Sequence, residues 1–387
     1  MKKQKICIIG GSLTGLATAI CLSKLNCSID LILGPNKLIP KSKSTIAISE
    51  NNLTFLKKLN LTKDISNEFW PCTKMKLYSE IKNKKFEKIF ELNKSNKEKK
   101  VLYMVKNVKL MELMLNKIKI DKSVSIKKNT KVSDIFNSGQ LKSIKIANRE
   151  HKYNLIIICA GSKSNLVKSF FKSKNIESSY GETSVTTILK HQPIKNDTAR
   201  QFFFNEEILA LLPLSKFQTS IVWSVKNSSH IKKESLVKAK IKKYTSDYLK
   251  KIKFTNTFEY KDLNFLLRNK YFDYRTLLFG DALHVVHPLA GQGFNMTLRD
   301  LHTLEKVLNK KISLGLDLGT SDTLSEFSNK SKPRNFVHSI GIDLIRNTFY
   351  LKNESIKEAR NNFLKIIGKN NFIKNLFFDI ADKGLKF

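Results

Sequence analysis

Two glycine-rich stretches hold the residues best suited to chemistry. The first runs Ile8-Ile9-Gly10-Gly11-Ser12-Leu13-Thr14-Gly15. Glycines at Gly10, Gly11 and Gly15 between an apolar run and a helical one bring main-chain N–H groups and a helix N-terminus up to a pyrophosphate. Ser12 stands where the middle glycine of such a turn falls. It is small enough to keep the approach close, and its hydroxyl can donate to phosphate. The second stretch runs from Gly280-Asp281 through His287-Pro288-Leu289-Ala290-Gly291-Gln292-Gly293-Phe294-Asn295, with Arg299-Asp300 behind it. The Asp281 carboxylate can accept hydrogen bonds from a polyol chain. Pro288 and Gly291-Gln292-Gly293 make a turn without bulky side chains, so main chain can lie against a flat ring. A helix beginning near Asn295 offers free N–H groups and partial positive charge. That end suits a reduced flavin, whose negative charge sits on one edge of its ring system.

The elements that must position these turns follow from hydrophobic pattern. Lys5–Ile9, Leu13–Leu25 and Ser28–Leu33 read as strand, helix and strand, a β-α-β unit. The second strand ends in Ile32-Leu33-Gly34, with no acid for ribose hydroxyls, and Asp30 comes too early. Val105–Ile118 has helical spacing. Tyr153–Ala160 is a buried strand ending at Gly161. Between Glu182 and Val225 the pattern is β-rich, with a turn at Lys216. Thr276–Phe279 is the strand that delivers Asp281, and helix dominates from Asn295 onward. The fold class is therefore α/β, with a mainly β block inserted into a doubly wound domain and a cleft between the two lobes. The expected division gives 1–75, 100–165 and 265–330 to a discontinuous dinucleotide-binding domain, 76–99 and 166–264 to a substrate domain, and 331–387 to C-terminal helices.

Composition narrows the possibilities. In 387 residues with 41% hydrophobic content, no apolar run approaches the roughly 18 residues of a membrane span. The opening Met1-Lys2-Lys3 and the apolar stretch after it imitate a signal peptide, but the glycines punctuate it as strand, turn and helix, so a cytoplasmic protein is expected. The net charge of +37 comes mostly from lysines spread along the chain. Solvated surface is the first reading and attraction to an anionic membrane the second. Nucleic acid is not expected, since no binding motif accompanies the charge. The five cysteines form no C-x-x-C pair, so neither disulfide nor metal site is expected. His284 and His287 are read as structural. Arg275 and Arg299 suit either cofactor phosphates or ordinary salt bridges.

The Gly280–Asn295 run, with Leu298-Arg299-Asp300, resembles the C-terminal flavin fingerprint of class A flavin monooxygenases, and within them the aromatic-ring hydroxylases of ubiquinone biosynthesis. Ala210-Leu211-Leu212-Pro213-Leu214 with Ser220-Ile221-Val222-Trp223 is similar to their substrate-domain hairpin. Met104–Val108 and the tail from Asp343-Leu344 to Phe377, Asp379, Ala381 and Gly384 also follow their pattern. This chain has Ala160-Gly161-Ser162-Lys163-Ser164 where the family has an Asp-Gly pair with a nearby serine, and Lys43 or Ser44 near the place of a family arginine.

The resemblance implies a Rossmann-like domain of the para-hydroxybenzoate-hydroxylase type. It implies bound FAD, reduction by NAD(P)H, and oxygen transfer from a flavin hydroperoxide to an electron-rich phenol. The expected contacts are Gly10, Gly11, Ser12, Gly15 and Gly161 on the pyrophosphate side, and Asp281 on the ribityl chain. Pro288, Gly291, Gln292, Gly293 and Asn295 should surround the ring, with Pro288 and Gln292 facing it. Leu211, Pro213 and Trp223 are candidates to face the substrate, a lipophilic prenylphenol; Trp223 and Phe202-Phe203-Phe204 also read as ordinary core of a β-sheet. Phe349, Phe363, Ile366, Ile367, Phe372, Leu376 and Phe377 could pack on the lobes, meet a bilayer, or dock partner enzymes of a biosynthetic complex. Two other readings stand beside this one: a flavin monooxygenase acting on another aromatic, and a catalytically weakened flavoprotein scaffold.

Overall fold

A computed structural model describes residues 3–35, 42, 44–61, 68–81, 85–93, 100–170, 175–204, 206–226, 233–255, 258–370, 373, 379 and 382. Its first lobe is built on a six-stranded sheet ordered Phe272–Asp273, Thr276–Leu278, Leu155–Ile158, Gln4–Ile9, Cys27–Ile32, Val124–Lys127, parallel except at the Phe272–Asp273 edge. Ile6, Cys7, Ile8, Ile156 and Ile157 have no exposed surface, as expected of strands covered on both faces. Every residue of the helix Leu13–Leu22 is buried. That helix can start so close to the sheet only because residue 15 is glycine: a Cβ there would lie 1.9 Å from the Gly10 carbonyl oxygen.

The second lobe is a nine-stranded sheet. Its spine is the 16-residue strand Asn175–Lys190, antiparallel to both Gln218–Lys226 and Glu259–Arg268. Glu207–Ser215 and Thr198–Phe204 continue it, and Lys74–Glu80 adds in parallel. One face carries Val185, Leu209, Leu211, Ile221 and Trp223 into a core with the helix Glu234–Thr245. The other face looks toward the first lobe. His284–Val285 pairs with Glu259–Arg268, so the chain entering the second glycine-rich turn is itself an edge strand of this sheet.

Several boundaries differ from the expectation: the helix from Leu13 ends at Leu22, and the strand expected from Tyr153 is Leu155–Ile158, Tyr153 itself ending the strand Arg149–Tyr153. Val105 belongs to the strand Leu102–Lys106, opposite Ile46. Its β-branched side chain suits a pleat, and helix begins only at Asn107. The long helix starts at Gln292, not Asn295. The boundary expected at 331 falls inside the helix Ser321–Tyr350, which is nucleated earlier by the Thr320 side chain accepting from Thr323 N–H. The helix Glu354–Lys369 follows, capped by Asn353. All five cysteines are free and buried. Burial pushes the Cys159 thiol up to about 12.

Candidate active site

The two glycine-rich turns meet. Gly10 adopts φ +133°, donates to the Ile32 carbonyl at 3.0 Å, and has no room for a Cβ beside Cys159. Ser12 is the N-cap of the helix Leu13–Leu22, but its side chain makes no capping bond, and no acid occupies the first turn. The first-turn N–H groups therefore remain available, with the positive end of the helix behind them. Gly280 adopts φ +64°, and a Cβ there would lie 2.5 Å from Thr14 Cγ2. The turn carrying Asp281 thus rests directly on this helix.

A cleft of about 890 Å³ opens beside this junction. Gly161, Ser162, Asp281 and Pro288 line it from the first lobe, and Ser184, Thr186 and Val222 from the second. Asp281 is exposed and has no protein partner among the described residues. A Cβ at Gly161 or Gly293 would meet nothing within 4 Å. Uncommitted helix amides, a free carboxylate and two glycines facing open space fit the phosphates, polyol and ring of FAD. Asp30 is occupied elsewhere, with Tyr153 Oη at 2.7 Å and Lys5 Nζ at 3.0 Å. Ser44 lines the cleft, whereas Lys43 lies outside the described residues.

The ring-side turn is braced from behind. Gly291 is left-handed at φ +64°, and a Cβ there would sit 2.9 Å from the Ala47 Cβ. Asn295 has no exposed surface. Its amide donates to the carbonyls of Ala47 at 2.7 Å and Gly291 at 3.1 Å, and its oxygen accepts from Ser49 N–H and the Asn52 amide. Asn295 is therefore a clasp between the turn and the strand Thr45–Ser49, not a wall of the ring site. Gln292 also departs from expectation. Its side chain lines an adjoining apolar cavity behind the turn, where its buried Oε1 has no partner. Pro288 does face the cleft.

Pro288 and Gly291 form one wall of a narrow slot of about 70 Å³. Ala199, Gln201, Ala210, Leu212 and Val222 of the second lobe form the opposite wall. Leu211 and Trp223 do not reach it. Ala210 pairs with Val222 and Gln201, so these share one face of the sheet, while Leu211 and Trp223 fall on the other, in the core under Glu234–Thr245. Pro213 is buried with the same parity as Leu211 and does not line the slot. The sequence carried a signal for this: in Thr219–Trp223 the larger residues Ile221 and Trp223 mark the core parity. Thr45, Ala47 and Gln201 went unrecognised as site residues.

Both histidines of the turn are structural. His284 Nε2 lies 3.0 Å from Asp300, which also accepts from Asn335. His287 Nε2 lies 3.1 Å from Glu182. Burial lowers the His287 pKa against the pull of Glu182. Burial also opposes charge on Glu182, but hydrogen bonds from His287 and Arg346 hold its carboxyl below the usual range. Arg275 forms a two-pronged pair with Asp317 at 2.8 and 2.9 Å, and neither it nor Arg299 lines the cleft. Of the C-terminal apolar residues, Phe349 and Ile367 are buried, while Phe363 and Ile366 are exposed. Phe372, Leu376, Phe377, Ala381 and Gly384 lie outside the described residues.

Fold and cleft together put the protein among the flavin-dependent monooxygenases. The chain belongs to the FAD binding domain family, whose pattern matches residues 3–323. It is 22% identical to the ubiquinone biosynthesis monooxygenase COQ6 of Dictyostelium discoideum, over 97% of this chain and 90% of that one. It is 30% identical to the ubiquinone hydroxylase UbiL of Rhodospirillum rubrum over a shorter stretch, 41% of this chain and 38% of that one. Among solved structures, p-nitrophenol 4-monooxygenase PnpA from Pseudomonas putida superposes with TM-score 0.82 at 14% identity, covering 100% and 99% of the two chains. Klebsiella pneumoniae HpxO, complexed with FAD and uric acid, gives 0.75 at 16% identity over 98% and 97%. Among the described helices none is long and apolar enough to cross a membrane.

Proposed function

We propose that this monooxygenase hydroxylates the ring of a polyprenylated phenol in ubiquinone biosynthesis, with FAD bound and NAD(P)H as electron donor. One observation carries the lipid part of this reading. The narrow slot shares Met75 and Leu102 with an apolar cavity of about 400 Å³, whose walls include Leu77, Phe90, Phe349 and Leu364. A flat head fits the first space and an apolar tail the second. The full-length likeness to ubiquinone-pathway monooxygenases supports the same choice. Ile345 and Phe363 line the cavity yet are 51% and 61% exposed. This favours entry of substrate from a membrane surface, with the protein on its cytoplasmic side.

FAD, when bound, supplies the transfer of electrons to dioxygen and of one oxygen atom to the ring. The chain's own residues do the rest. Main chain from Gly10 to Gly15 would hold the pyrophosphate at the helix tip, and Asp281 would accept hydrogen bonds from the ribityl hydroxyls. The N-terminus of Gln292–Ser313 would favour negative charge on a ring held against this turn. Pro288, Ala210, Leu212 and Val222 keep water from the reacting carbon.

The deciding experiment releases and identifies the bound flavin, then follows oxygen consumption and product formation with a prenylphenol. Ring hydroxylation coupled to NAD(P)H oxidation is expected. A protein that stays colourless with added FAD would leave only the scaffold reading. A yellow protein that hydroxylates soluble phenols but ignores prenylated ones would move the substrate class.

A further inference from the structure

We infer that Gln201 determines specificity by hydrogen bonding a ring hydroxyl of the substrate inside the slot. The inference rests on the aromatic-substrate reading above. Gln201 lies on the strand Thr198–Phe204, in register with Ala210 on one side and Leu77 on the other. It is 4% exposed and lines the slot, and its carboxamide has no protein hydrogen-bond partner among the described residues. A carboxamide that faces a narrow apolar space with no protein partner is free to hydrogen bond a ligand placed there.

The surroundings offer Gln201 nothing else. Its neighbours on the same face are Ala199, Ala210, Leu212 and Val222, and the facing wall is Pro288 and Gly291. The two other polar side chains at the slot have partners, although the buried Nε of Arg200 has none. Thr45 Oγ1 donates to Ser220 Oγ at 3.0 Å. The Arg200 guanidinium donates to the Thr198 carbonyl at 3.1 Å and lies over the Tyr248 ring, on the far side of the sheet. Gln201 is thus the one slot-lining polar side chain, among the described residues, with no partner. A carboxamide both donates and accepts, so it takes a neutral hydroxyl without requiring the ring to ionise. Standing opposite Pro288, it fixes which edge of the ring turns toward the flavin site.

The test uses the FAD-loaded protein and two probes, a 2-alkylphenol and its methyl ether, with binding read from the absorbance of the bound flavin. Gln201→Leu keeps the volume and removes both polar atoms. The expected result is about a 10-fold rise in the dissociation constant for the phenol, with little change for the ether. The ligand-free melting temperature should hold or rise, because an unpaired polar group has been replaced by an apolar one. Gln201→Met serves as a second variant should the first perturb the sheet, with the same expectation. Equal affinity of unaltered protein and both variants for the phenol overturns the role of Gln201 while leaving the aromatic reading intact. Failure of the unaltered holoprotein to respond to any phenol overturns both.

Discussion

His287 Nε2 lies 3.1 Å from Glu182 Oε2, and the two side chains are 1% and 0% exposed. Glu182 sits at the irregularity of the long strand Asn175–Lys190, and His287 immediately precedes Pro288. Arg346 from the helix Ser321–Tyr350 donates to the other Glu182 oxygen through Nε at 3.0 Å. Three separate parts of the chain therefore fix the start of the ring-side turn through one carboxylate. Glu182→Ala leaves a buried guanidinium without its counter-charge, and breaking such a pair from one side costs about 3–5 kcal/mol. Chemical denaturation of the variant should register a loss of that size, together with faster loss of FAD. A change below about 1 kcal/mol would mean the network adds little.

Gly291 and Ala47 should couple. Gly291→Ala incurs the left-handed backbone cost of about 1–2 kcal/mol, and its new methyl would sit 2.9 Å from the Ala47 Cβ. Ala47→Gly removes that overlap but not the backbone cost. In a double-mutant cycle followed by denaturation, the double variant should be more stable than the sum of the singles predicts, by about 0.5–3 kcal/mol. Strict additivity would show that the strand yields freely and does not brace the turn.

Much of this arrangement was legible in the sequence. The Gly10–Gly15 turn, the strand into Asp281 and the bare turn at Pro288–Gly293 each depend on local chemistry, which residue type and spacing report directly. Two kinds of error have physical causes. Leu211 and Pro213 were placed on the wrong face because the apolar run Ile208–Leu212 does not reveal its parity by itself, and a one-residue step reverses every side chain; the parity marked by Ile221 and Trp223 on the neighbouring strand had to be carried across. Asn295 and Gln292 sit within the flavin motif, yet their side chains serve the strand Thr45–Ser49 and the rear cavity. The motif alone cannot tell a residue that touches a ligand from one that holds the turn. Gln201 was invisible for a third reason. Its significance is the absence of a partner in a folded apolar slot, and that depends on strands far apart in sequence.

Asp281 separates cofactor binding from folding. Its side chain is exposed and unpartnered among the described residues, so Asp281→Ala should leave the stability of the flavin-free protein within about 0.5 kcal/mol. A carboxylate hydrogen bond to a polyol is worth about 1.5–3 kcal/mol, which corresponds to about a 10- to 100-fold weaker dissociation constant for FAD. Titration of the flavin-free protein with FAD, read by quenching of flavin fluorescence, measures it. An unchanged constant would remove Asp281 from the cofactor site.

His338 should make the fold acid-sensitive. It lies in the helix Ser321–Tyr350, its Nε2 is buried without a partner, and its pKa is lowered from 6.5 to about 3. Burial is the main cause, reinforced by the positive field of Arg299 and by His284. In the unfolded chain this imidazole takes up a proton near 6.5, while the folded protein refuses it until about 3. Between those values the unfolded state binds more protons, so stability falls as pH falls, with a slope approaching about 1.4 kcal/mol per pH unit. Above 6.5 the residue contributes no slope. The lowered pKa of His287 acts in the same direction, so the unaltered protein carries more than one such term, and the comparison must isolate His338. His338→Leu removes its proton uptake alone. Denaturation midpoints at about pH 7 and about pH 5 should show the stability of the leucine variant, relative to the unaltered protein, rising on acidification. A relative stability that is the same at both pH values would mean that His338 titrates normally in the folded chain.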